Sequence, residues 1–144
     1  MAPRVEVGKP LPALDLKLAG GESLDVEGID GPVLFNFFAS WCAPCKAEIP
    51  RINQQLEKRD DLTVVGVIFR DSEEEAVTFL RARAGDWRIV PDSDGAVAKA
   101  FGVTQPPGIP QTFFVSKKGR VVSRVYGEMT EERLNKELDG LRSP

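Results

Sequence analysis

A chain of 144 residues with 22 acidic and 19 basic side chains carries a net charge of −3, so it has no basic surplus to attract nucleic acid, and its length fits one domain, residues 1–144. A hydrophobic share of 42% allows a sizeable core. No stretch approaches the roughly 18 consecutive apolar residues of a membrane span, and the first residues lack a charged-then-apolar leader. With two cysteines and no histidine, the chain cannot supply the usual nitrogen and sulfur ligands for zinc, so no metal site is expected.

Residues 1–12 read as irregular, because Pro3, Pro10 and Pro12 block a regular start. Leu14 to Leu18 alternates as a half-exposed strand, Ala19 to Glu22 turns, and Ser23 to Val26 returns as the second arm of a hairpin. A turn over Gly28 to Pro32 leads into Val33 to Phe38, an apolar and aromatic run that reads as a buried central strand. Ile49, Ile52 and Leu56 then recur at helical spacing up to Lys58, with Pro50 inside the helix, where a kink is expected.

Leu62 to Phe69 is a second β-prone run, which makes strand, helix and strand a parallel right-handed unit. Ser72 and Glu75 form a capping box for a helix running to about Ala84, stopped by Gly85, and the acids after Ser72 suit the positive helix end. Trp87 to Val90 is a short strand. Asp92 to Gly95 is a turn that lacks the later ligands of a calcium loop. A short helix over Ala96 to Phe101 closes at Gly102. Thr112 to Val115 and Arg120 to Tyr126 form a hairpin around Lys117-Lys118-Gly119, and Thr130 caps a last helix with Leu134, Leu138 and Leu141 on one side. The order predicts an α/β fold with a central mixed sheet, helices on both faces and an N-terminal hairpin.

The chemistry concentrates in Trp41-Cys42-Ala43-Pro44-Cys45. The strand-to-helix pattern puts Cys42 at a helix N-terminus and Cys45 one turn inside. Helix positions i and i+3 lie about 5–6 Å apart, within reach of a disulfide. The exposed N–H groups and dipole at the helix start favour a thiolate at Cys42. A purely stabilising role is a poor explanation, because so short a loop removes little entropy from the unfolded chain. The pair reads as a redox couple that needs no other cofactor.

The run Val33-Leu34-Phe35-Asn36-Phe37-Phe38-Ala39-Ser40-Trp41-Cys42-Ala43-Pro44-Cys45-Lys46-Ala47-Glu48-Ile49-Pro50 resembles the thioredoxin-fold TlpA/ResA/DsbE (CcmG) thiol–disulfide oxidoreductases. Val64 to Val67, Asp92 to Gly95, Phe101 to Val103 and Pro110 to Val115 extend the likeness over nearly the whole chain. The resemblance implies that Cys42 attacks and Cys45 resolves. It implies that Trp41 and Pro44 flank the thiols, that Pro110 is a cis-proline beside them, and that Ile109 offers its backbone to a client.

Asn36 stands where thioredoxins carry a buried acid, and Glu48 matches an acid of the DsbE-like branch. Spacing puts Glu48 on the Cys45 side of the helix, as a proton relay or as a solvated surface carboxylate. Gln111 departs from the Glu usual after the cis-proline, and the loop from Thr104 to Gly108 is proline-rich.

The implied activity is reduction of disulfides in protein clients, with apocytochrome c a candidate. The implied setting is extracytoplasmic, with an upstream membrane thiol donor and any signal or anchor outside this chain. A DsbA-like oxidant and a non-catalytic client-binding module are the alternatives. A peroxidase ranks last, because no T-x-x-C precedes Cys42.

Overall fold

The computed structural model describes residues 3–142. Met1 and Ala2, at the start of the expected irregular segment, and the last two residues of the chain lie outside the described residues.

The strands are β1 (Leu16–Lys17), β2 (Ser23–Leu24), β3 (Val33–Phe38), β4 (Thr63–Ile68), β5 (Arg88–Val90), β6 (Gln111–Val115) and β7 (Val121–Tyr126). The helices are α1 (Ala43–Lys58), α2 (Glu73–Arg81), α3 (Ala96–Phe101) and α4 (Glu131–Gly140). The five-stranded sheet has the order β5-β4-β3-β6-β7. Strands β3, β4 and β5 are parallel, while β6 and β7 join antiparallel. The expected hairpin is present but shorter than read, pairing Leu16 with Leu24 and Lys17 with Ser23. A 3-10 turn over Val26–Gly28 follows it, within and just before the expected turn.

All six residues of β3 are buried, as a strand covered on both faces requires. Leu34, Asn36 and Phe38 face the side covered by α1, α2 and α4, where Ile49, Ile52, Ala76, Leu80, Leu134 and Leu138 pack. Phe35 and Phe37 face α3 and the N-terminal segment, packing with Phe101, Phe113, Leu16 and Val5.

Local chemistry sets the helix ends. Ser72 Oγ accepts from Glu75 N at 3.1 Å, but the capping box is only half formed, because Ser72 N donates to Asp71 Oδ1 instead. Helix α2 ends at Arg81 rather than about Ala84, because its last turn tightens, with Arg83 N donating to Leu80 O. Asp92 accepts from Val97 N and Ala98 N, so this aspartate anchors the start of α3. Helix α1 runs unbroken through Pro50; both Pro50 and Lys46 are exposed, so water can reach the Lys46 carbonyl that the proline leaves unpaired.

Candidate active site

The centre of the site is the junction of β3 and α1. Cys42 is the N-cap residue of α1, with φ −96° and ψ 104°, and its sulfur accepts from Cys45 N at 3.3 Å. Cys42 and Cys45 form a disulfide with their Cα atoms 5.3 Å apart. Pro44 falls in the first turn of α1, where a missing N–H leaves no helical bond unmade. Both cysteines are buried, Cys42 at 4% exposure and Cys45 at 1%, so what access there is favours Cys42.

Trp41 is 53% exposed beside the cysteines, so it is not a core aromatic. Its indole N–H donates to Arg70 O at 2.9 Å, and Ser40 N donates to Asp71 Oδ2 at 2.7 Å. The turn after β4 therefore holds the approach to the cysteines. The peptide between Ile109 and Pro110 is cis. Pro110 is buried and Ile109 half-buried, and Gly127 N donates to Pro110 O. The pairing of Phe37 with Gln111 puts this loop at the cysteine end of β3.

Glu48 is fully buried, so it is not a solvated surface carboxylate. It lies one helical turn beyond Cys45. Its Oε1 accepts from Asn36 Nδ2 at 3.0 Å, and its Oε2 accepts from Met129 N at 2.6 Å. Burial pushes its pKa from 4.5 up to about 7, against the pull of the Met129 and Asn36 donors; Glu128 adds to the rise and Arg51 opposes it. Arg51 is held beside it by Glu128 and by Met129 O. Asn36 also donates to Thr112 Oγ1 at 3.1 Å, while its own Oδ1 has no partner among the described residues.

Thr112, Met129, Arg51 and Glu128 were not singled out from sequence. Thr112, Met129 and Glu128 lie far along the chain from the groups they serve, where no spacing rule reaches; Arg51, one turn beyond Glu48 on α1, could have been found by helical spacing. The residues that were singled out fall into two neighbouring groups: Trp41, Cys42, Pro44, Cys45 and Glu48 on and just before α1, and Ile109 and Pro110 on the loop entering β6.

A vicinal cysteine pair capping the first long helix, on a mixed sheet of this order, defines a thioredoxin-like thiol–disulfide oxidoreductase. The model of the AhpC/TSA family matches residues 7–124, and the chain belongs to that family. It is 34% identical over 143 residues to the thiol:disulfide interchange protein HelX of Rhodobacter capsulatus, covering 96% of this chain and 78% of the relative. It is 35% identical over 134 residues to a DsbE homolog of Paracoccus denitrificans, covering 90% and 72%. Among solved structures, MTB dsbF in its mixed oxidized and reduced forms superposes with a TM-score of 0.79 at 28% identity, covering 89% of this chain and 94% of that one.

Proposed function

We propose that the chain reduces disulfides in protein clients and that Glu48 takes the proton of the resolving thiol. The Cys42 thiolate attacks one sulfur of a client disulfide. A mixed disulfide forms, and the other client sulfur leaves as a thiolate that gains a proton. Cys45 then gives its proton to the Glu48 carboxylate and attacks Cys42 Sγ. The internal disulfide forms, the second client sulfur leaves and is protonated, and the client has gained two electrons. An external dithiol donor must return those electrons.

The observation that carries this reading is a fully buried carboxyl one turn from Cys45, with a pKa near neutrality. A buried thiol cannot lose its proton to water easily, and an acceptor poised near pH 7 is matched to the task. Trp41 and Pro44 shape the approach to Cys42, and Ile109 pairs its backbone with an extended client segment beside Pro110.

The likeness to two thiol:disulfide interchange proteins supports protein thiols as clients; on this reading the client is a cysteine pair such as that of apocytochrome c, the setting extracytoplasmic and the donor a membrane thiol protein. Among the described residues no helix is long and apolar enough to cross a membrane. Insulin reduction tests the activity: Cys42→Ala should abolish it, and unchanged turnover in that variant would end the proposal. Equilibration with glutathione separates a reductant from a DsbA-like oxidant. Cys45→Ala should accumulate a mixed disulfide, which a purely non-covalent client-binding module would not do.

A further inference from the structure

Gln111 follows Pro110 directly, heads β6, and is fully buried. Its amide is used on both sides. Nε2 donates to Gly108 O at 2.8 Å, and Oε1 accepts from Arg124 Nε at 3.0 Å and from Arg124 Nη2. Arginine only donates and a carbonyl only accepts, so the amide can sit in one orientation alone.

Arg124 comes from β7 and is itself fixed. Its guanidinium lies 4.8 Å from the Phe113 ring centre and 4.7 Å from that of Tyr126, and Nη2 donates to Gly102 O at 2.9 Å. No carboxylate among the described residues pairs with it. Gly108 N donates to Thr104 O at 2.7 Å, and Gly108 has φ +85°. A Cβ there would fall against the Gln105 side chain. The loop between α3 and β6 is thus tied at Gly102, by Arg124, and at Gly108, by Gln111.

Only a neutral amide completes this arrangement. A glutamate at position 111 would keep both bonds from Arg124 and stay ionised beside it. It would have no hydrogen for Gly108 O, and two acceptor oxygens would face each other at hydrogen-bond distance.

We propose that Gln111, oriented by Arg124, is a positioning residue that fixes the Gly108–Pro110 backbone and so sets which extended clients the site accepts. This rests on the reading that Ile109 pairs with the client backbone. A small disulfide that makes no backbone pairing should be indifferent to the loop.

The test compares the whole chain with Gln111→Glu and Gln111→Met in three measurements: steady-state reduction of insulin, reduction of cystamine, and amide hydrogen exchange. Both variants lose the donor to Gly108 O, while Gln111→Glu keeps the Arg124 contact and so guards against simple unfolding. Both should raise KM for insulin about fivefold or more, the scale of one unsatisfied buried carbonyl, with kcat and cystamine rates unchanged. The Gly108 amide should exchange faster in both, while Val115 stays protected. Unchanged KM and exchange in both variants would overturn the proposal. So would a rise in KM with Gln111→Glu alone, which would be an effect of charge, or an equal loss toward cystamine, which would be general damage. If the wild-type chain reduces no insulin, the functional reading fails instead, and the exchange measurement alone decides whether Gln111 holds the loop.

Discussion

The two faces of the central sheet are built on opposite terms. Toward α3 the packing is aromatic: Phe101 lies 4.9 Å from Phe35, 5.2 Å from Phe37 and 4.8 Å from Phe113, ring centre to ring centre. Toward α1 the same strands carry Asn36 and Thr112, and the helix adds Glu48 and both cysteines. The two buried side-chain polar atoms without a partner among the described residues, Asn36 Oδ1 and Trp87 Nε1, both belong to residues on this second face. One face supplies stability through burial and ring contacts. The other gives up stability to hold an ionisable group in a low-dielectric pocket, where the proposed proton transfer would need it.

If that division is right, damage to each face should read differently. Phe101→Ala removes the hub of the aromatic cluster and should cost ~3–5 kcal/mol in chemical denaturation, while the Cys42–Cys45 potential stays put. A large change in potential would break the contrast between the faces.

Glu48→Gln should act on the other face by removing the pH dependence of stability that the buried carboxyl imposes, at the cost of one acceptor for Asn36 Nδ2 or Met129 N. Below pH 4.5 the carboxyl is protonated in both the folded and unfolded chain and contributes nothing. Between 4.5 and about 7 the unfolded chain ionises first, so wild-type stability falls as pH rises. Above 7 the whole cost of ionisation is present, ~3 kcal/mol, and a neutral amide does not carry it. Denaturation at pH 4 and pH 8 checks this: wild-type stability should fall between the two while that of Glu48→Gln stays level in this respect, and the same variant should resolve mixed disulfides more slowly.

Asn36→Ala probes the same pocket more gently. Removing its donor takes a hydrogen bond from the ionised carboxylate, so carbon NMR should find the Glu48 titration moved further up. Smallest of all, Ser72→Ala, at a cap away from both the ring cluster and the carboxyl, should cost ~1 kcal/mol in denaturation and leave exchange rates alone.

How much of this was legible beforehand divides along the same line. Val33 to Phe38 announces a buried strand through its composition, and Cys42 and Cys45 announce their chemistry through spacing and a helix start, all within a few turns of chain. The order of strands and helices pointed to a mixed α/β sheet, and its thioredoxin-like character came from the resemblance of the motifs around Cys42, Cys45 and Pro110. Glu48 was visible as a candidate, but its burial was not. Its cover comes from Met129, 81 residues on, and its network runs through Asn36 to Thr112, 76 residues apart. Gln111 stood out only as a departure from the expected Glu. Its purpose depends on Arg124 reaching across from β7, a contact that no local period encodes. The start of α2 fell at Ser72 as read; what local pattern does not encode is that Asp71 takes Ser72 N in place of Glu75 and that the last turn tightens onto Leu80 O.

The most direct test is the pH dependence of the resolving step, the attack of Cys45 on a preformed mixed disulfide, followed in the wild type and in Glu48→Gln. The wild-type rate should rise through an inflection near pH 7, as the carboxylate becomes free to take a proton, and Glu48→Gln should be slower and lack that inflection. Identical profiles in the two proteins would contradict the role given to Glu48.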